Sequence, residues 1–198
     1  MSRCSHDHDQ PSEVVMASPS WLESALPTEP IRDGVERMRV AIELAKRNVA
    51  ERTGGPFGAA VFVEATGELI AGGVNVVVAS SCSHAHAEMM ALGLAQRKLG
   101  VHDLASAGLG DLQLVSSCEP CAMCLGATVW SGVRSVMVGA SDADARSIGF
   151  DEGPKVASWI DALSDRGIKV QADVLREEAA AVLRSYLADG QQIYNGRE

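Results

Sequence analysis

The sequence predicts an α/β fold in which a mixed five-stranded sheet lies between layers of helices. Three observations carry this. A long segment of helical period comes first, two short apolar runs then flank Thr66-Gly67 in the manner of a hairpin, and from there helical and strand-like segments alternate. A hairpin followed by βαβ units gives a sheet with both strand senses and helices on its faces.

Each element has its own signal. Residues 1–30 are polar and broken by Pro11, Pro19, Pro27 and Pro30, so they read as a tail or wrapping arm ahead of one domain over residues 31–198. His6 and His8 in that arm read as solvated. From Arg32, the positions Val35, Met38, Ile42, Leu44, Ala45 and Val49 recur at near-helical spacing until Gly54-Gly55-Pro56 ends the run. Strands are expected over residues 59–63 and 69–71, and residues 74–78 read either as a continuation of the second or as an irregular edge. Residues 86–99 form a helix with Met90, Ala91, Leu94 and Ala95 on one face. Residues 112–115 form a strand, and 120–130 a helix ended by Gly132. A strand over 133–138, a helix over 156–163, a strand over 168–172 and a helix over 175–187, with Leu183 and Leu187 inward, complete the order.

Length and charge bound what the domain can do. The 198 residues suffice for one sizeable core. Lys and Arg total 17 against 26 Asp and Glu, giving a net charge of -9 with the basic residues scattered. Such a surface repels phosphate backbones, so a small molecule is expected rather than a nucleic acid. The five cysteines, three of them crowded at Cys118, Cys121 and Cys124, do not resemble a disulfide framework. With no apolar run of signal-peptide or membrane-spanning kind, a cytoplasmic setting is expected and no membrane partner.

The chemistry is concentrated in two motifs, His86-Ala87-Glu88 and Pro120-Cys121-Ala122-Met123-Cys124. One imidazole and two thiolates supply three zinc ligands, and a catalytic zinc keeps its fourth position for water. Cys121 and Cys124 fall on one helical turn, with Pro120 suited to its first position, and the positive end of the helix favours thiolates there. His86 opens the preceding helix, so an intervening strand can bring both helix starts to one sheet edge. A carboxylate two residues after the His, Glu88, is then placed to move protons. H-x-E with P-C-x-x-C is the signature of zinc-dependent base deaminases.

Blander readings compete with this one. An iron-sulfur run from Cys118-x-x-Cys121-x-x-Cys124 wants a further Cys four positions on, followed by Pro, and the chain has Thr128 and Val129 instead. A closed structural zinc with Cys118 as fourth ligand gives no reason for Glu88. His84 is the competing imidazole, but only His86 stands two before a Glu. Cys82, His84 and Cys118 therefore read as ordinary packed or solvated residues.

These motifs resemble those of the cytidine/deoxycytidylate deaminase superfamily, and within it the bacterial guanine deaminases, from about Arg32 to the C-terminus. Gly55-Pro56-Phe57-Gly58-Ala59 is similar to the family's first strand, and Ser117 to Cys124 to its second zinc motif. Ile148-Gly149-Phe150-Asp151-Glu152-Gly153-Pro154 is similar to a stretch of guanine deaminases and their ammeline-using relatives. The resemblance implies a three-layer α/β/α cytidine-deaminase-like fold with one zinc per chain. It implies conversion of guanine to xanthine and ammonia, with Glu88 shuttling the proton and Glu152 helping the amine leave. Asn75 is implied as a base contact, with Ala87 beside it, Phe57 or Trp130 as a stacking ring, and Tyr194 as an aromatic lid. The resemblance also implies a homodimer in which the C-terminal segment Gln191-Gln192-Ile193-Tyr194-Asn195 is swapped. Read without the resemblance, the stretch at Glu152 is a solvated turn, Asn75 a turn residue and Trp130 core. A nucleoside or cytosine deaminase and a non-catalytic zinc-stabilised module stand as alternatives.

Overall fold

The computed structural model describes residues 11–195, so His6 and His8 lie outside the described residues. The chain enters the fold through α1 (Leu22–Ala25), a single turn that periodicity does not signal. Leu22 is buried with Leu44, Val74 and Met90, so this part of the N-terminal arm packs into the body of the protein. Asp33 then caps α2 (Gly34–Ala50) by accepting the N–H groups of Val35 and Glu36, at 2.7 and 3.4 Å. That satisfies two of the helix's orphan donors.

The hairpin β1 (Gly58–Val63) and β2 (Leu69–Val74) is antiparallel, and β2 ends at Val74, so residues 75–78 are irregular. After α3 (Ala87–Leu99) and a 3-10 turn (Leu104–Ala107), β3 (Leu112–Cys118) pairs antiparallel with β1. Next come α4 (Ala122–Ser131) and β4 (Ser135–Ala140), parallel to β3. A short helix α5 (Asp142–Ser147), closed by a Ser141/Asp144 capping box, is another turn the apolar pattern does not announce. α6 (Trp159–Ser164), β5 (Lys169–Gln171), parallel to β4, and α7 (Arg176–Ala188) complete the domain. The sheet order is β2-β1-β3-β4-β5, the mixed five-stranded sheet expected.

Both faces of the sheet are covered, and the two-residue period of the strands sorts side chains between them. Ala60, Phe62, Val115 and Met137 face α2 and α7, whereas Ala59, Val61, Leu114 and Val136 face α3 and α6. Each large side chain so buried stabilises the fold by about 1.5–3 kcal/mol before entropy is counted. A Cβ on Gly73 would run into the backbone of α3 at Ala87 and Ala91, so glycine there lets α3 lie close on β2. On α7, Ala179, Ala180, Val182, Leu183 and Tyr186 are buried, but Leu187 is half exposed. Tyr186 takes the inward position after Leu183 that the periodicity reading gave to Leu187. No helix among the described residues is long and apolar enough to cross a membrane.

Candidate active site

The two parallel neighbours β3 and β4 end beside the start of α4, and α3 starts next to it. Cys121 is the N-cap of α4 with an extended backbone (φ -65°, ψ 174°), so Pro120 stands before the cap and not at the first helical position. His86 caps α3 in the same extended way. The ring Nδ1 of His86 lies 3.6 Å from the sulfurs of both Cys121 and Cys124. The three ligand atoms lie within 4.8 Å of one another, the one group of this kind among the described residues. Cys118, at the end of β3, turns its sulfur toward the Ser141 carbonyl at 3.8 Å, and Cys82 pairs with His84 at 3.3 Å. Neither belongs to the cluster.

The donor set suits a cation. The hydrogen bond from Cys124, and then His86, hold Cys121 down at about 4 against the cost of burial. Cys124 is pushed far up by the same bond, by burial and by Glu88. Burial, then the Cys121 charge, also raises Glu88, whose Oε2 lies 3.5 Å from the Cys124 sulfur. Burial resists a charge on His86, but Cys121, Glu88 and Glu152 raise it overall. Two sulfurs and two carboxylates crowded in a buried space are short of positive charge, and one divalent ion on an N/S₂ set relieves that.

A cavity of about 280 Å³ opens on this cluster. Glu88, Glu152, Asn75, Phe57 and Tyr194 line it, as the sequence motifs and the resemblance lead one to expect. Glu152 is 6% exposed, and burial, then the charges of Cys121, Glu88 and Asp142, push it up to about 8 against the opposing Lys155. Its carbonyl accepts the N–H of Ala122 at 3.0 Å, which ties the loop to the start of α4 and satisfies a helix donor. Lys155, itself buried, fixes the far side of that loop to Glu119 at 2.7 Å and Asp142 at 3.1 Å. Asn75 turns Oδ1 to the Val77 N–H at 3.3 Å, leaving its Nδ2 group as the free donor of the amide.

The C-terminal segment lines one side of the cavity and packs on the Gly149–Asp151 stretch. Asn195 receives the Asp151 N–H at 2.9 Å and donates to the Gly149 carbonyl at 3.0 Å, and Tyr194 packs edge-on against Phe150 at 5.1 Å. A Cβ on Gly55 would strike the Tyr194 hydroxyl, so the glycine makes room for the ring. That hydroxyl is the buried side-chain polar atom left without a partner among the described residues.

Two expected contacts are corrected. Trp130 is 84% exposed and stands on a separate surface groove with Asp103 and Arg134. It lies six residues beyond Cys124, about 240° round the helix, so when the sulfur faces inward the indole faces out. Ala87 is fully buried and packs with Ala91 against the sheet, away from the cavity lining. Phe150 is an aromatic ring of the cavity lining that the sequence reading did not single out, and it meets Phe57 edge-on at 5.0 Å. It lies inside the stretch that carried the resemblance, and its flanking glycines were the available signal.

Residues 33–140 match the family model described as the cytidine and deoxycytidylate deaminase zinc-binding region. The solved structure of guanine deaminase from Nitrosomonas europaea superposes with a TM-score of 0.86 at 45% identity, covering 90% of this chain and 98% of that one. Guanine deaminase of Bacillus subtilis is 40% identical over 115 residues, 58% of this chain and 69% of its own length. The tRNA-specific adenosine deaminase of Haemophilus influenzae is 31% identical over 149 residues, 75% of this chain and 80% of its own length. Strand order, helix-start ligands and these likenesses agree, and the chain belongs to the cytidine and deoxycytidylate deaminase family of zinc-binding enzymes.

Proposed function

We propose that the chain hydrolyses free guanine to xanthine and ammonia. The observation that carries this reading is the second buried carboxylate: Glu152 faces the same small cavity as Glu88, and both stand beside the His86, Cys121 and Cys124 cluster. One zinc per chain, held by these three residues, would supply a water acidified toward a pKa of about 7, a nucleophile for C2 of the base. Glu88 would accept the proton of that water and return it to the ring nitrogen. Glu152, whose burial favours its neutral form, would hydrogen-bond the exocyclic amine, give it the proton with which it leaves as ammonia, and take in exchange the hydroxyl proton released as the C2 carbonyl forms. Asn75 would hold the base edge, Phe57 would stack on the ring with Phe150 packed edge-on behind it, and the Tyr194 hydroxyl would find in the base the partner it lacks.

A small cavity narrowed by the Tyr194 ring favours a bare base over a nucleoside. The acidic surface favours a small molecule over RNA. Ammonia release from guanine, ammeline, isocytosine, guanosine, cytosine and a tRNA is the deciding measurement on zinc-loaded protein. Guanine or ammeline fastest supports the reading, and turnover confined to guanosine, cytosine or tRNA removes it.

The protein is further proposed to be a cytoplasmic homodimer. Met123, Gly126 and Trp130 form an outward stripe on α4 at i, i+3 and i+7 spacing, with open space at Gly126, and a second copy of this helix could pack there. Thiol ligands suit a reducing compartment, and the four described cysteines are unpaired thiols. Sedimentation of the zinc-loaded protein at the mass of one chain would remove the dimer reading.

A further inference from the structure

Asn48 lies on α2 behind the cavity wall, with its side chain fully buried. Its Nδ2 group donates to the carbonyls of Gly55 and Asn75, both at 2.8 Å, and its Oδ1 accepts the Thr53 hydroxyl at 2.7 Å. Both donors and the acceptor of one amide are thus spent on three backbone or loop groups, a set that a carboxylate or an aliphatic side chain of the same size does not offer. The two carbonyls belong to the segments from which Phe57 and Asn75 enter the cavity. Those segments are also cross-linked directly, Asn75 N–H to Phe57 carbonyl at 3.2 Å, and the first is tightened by a turn from Phe57 N–H to Gly55 carbonyl at 2.8 Å.

The tie continues outward. Thr53 Oγ1 receives the indole N–H of Trp21 at 3.1 Å, and the Trp21 ring lies 4.9 Å from the guanidinium of Arg47. A line of hydrogen bonds therefore runs from the segment ahead of α2, through Thr53 and Asn48, to the backbone that carries the base contact. None of these three side chains lines the cavity.

We propose that Asn48 is a positioning residue for base recognition, held in turn by Thr53 and Trp21, so that the N-terminal segment sets the width of the substrate pocket. This rests on the reading of Asn75 and Phe57 as base contacts. Misplacing a recognition group by about 1 Å costs up to about 10²-fold in rate constants. Because the metal cluster lies on other elements, the loss falls on KM, with kcat and metal content kept.

The test compares Asn48→Leu, Thr53→Val and Thr53→Ser in the full-length, zinc-loaded chain. Thr53→Val keeps the shape and removes the hydroxyl, and Thr53→Ser restores it. Two readouts are taken: KM and kcat on the best substrate of the panel, and amide hydrogen exchange over residues 54–58 and 74–78 against β3. The expected result for Thr53→Val is a KM raised about ten-fold with kcat within about two-fold, reversed in Thr53→Ser. Exchange should quicken in the two loop segments alone. Unchanged KM and exchange in Thr53→Val overturn the proposal, as does exchange quickened equally in β3, which marks a merely structural residue. Should Asn48→Leu not fold, Thr53→Val still decides. Should the wild type turn over no compound of the panel, the substrate reading fails while the exchange data still judge this one.

Discussion

His86, Cys121 and Cys124 stand on the first residues of helices 13 and 10 residues long, whereas Phe57, Asn75, Glu152 and Tyr194 stand between or beyond regular elements. The two sides of the cavity therefore owe their geometry to different forces. On the metal side, helix starts and the parallel pair β3–β4 hold the ligands, and moving one means moving a packed helix. On the side proposed to recognise the base, single hydrogen bonds do this work: Asn48 to the Asn75 carbonyl, Ala122 to the Glu152 carbonyl, and Asn195 to the Asp151 and Gly149 backbone. Such a division lets substrate preference change by loop substitution while the chemistry stays in place.

The largest expected effect breaks the chemistry without touching either wall. Glu88→Gln keeps shape and zinc but removes the proton carrier, and the loss in kcat should reach about 10²–10⁴-fold or more. Metal content measured beside kcat checks this, and turnover within a few-fold of wild type would show proton transfer running elsewhere. Glu152→Gln should also cut kcat severely, yet it sits on the recognition side, so it alone should change the ranking of guanine against the other compounds of the panel. An unchanged ranking with near-normal turnover would refute its assigned part.

A smaller effect probes the anchoring of the loop that carries Glu152. Asp144 caps α5 through Ser141 and binds Arg176 at 2.9 Å, and Arg176 first, with the Ser141 groups, holds its carboxyl down at about 2 from an ordinary 3.8. A carboxylate depressed in the folded state adds stability above the ordinary value, and that stability is lost as pH falls through about 2. Asp144→Asn should therefore cost about 1 kcal/mol near neutral pH, with the gap closing toward pH 2. Denaturant melts at several pH values measure it, and a gap that widens on acidification would reverse the sign.

The metal side was legible because its information is local. A Cys-x-x-Cys at a helix start and a His two before a Glu keep their meaning within one turn of helix, and the alternation of apolar runs placed the strands between them. The recognition side was not legible in this way. Asn48 reads as one polar residue on an amphipathic helix, and its partners lie five, seven and 27 residues away in sequence. Leu187 failed because periodicity says that a helix has an inner face while the neighbouring element decides where that face ends; Trp130 was named through the resemblance, and its angle of about 240° from Cys124 sets it on the outer side. Leu22–Ala25 and Asp142–Ser147 are too short for any period to show, and only the cap Ser141-x-x-Asp144 marked the second.

The hydrogen bond from Ala122 to the carbonyl of Glu152 joins the two sides at one peptide group. Whatever presses Glu152 toward a bound base also presses on the helix start whose cap is a metal ligand. If base and ion bind on the two sides as proposed, this peptide group would link their affinities, and thermodynamic reciprocity would then make the factor by which the ion changes the affinity for the base equal to the factor by which the base changes the affinity for the ion.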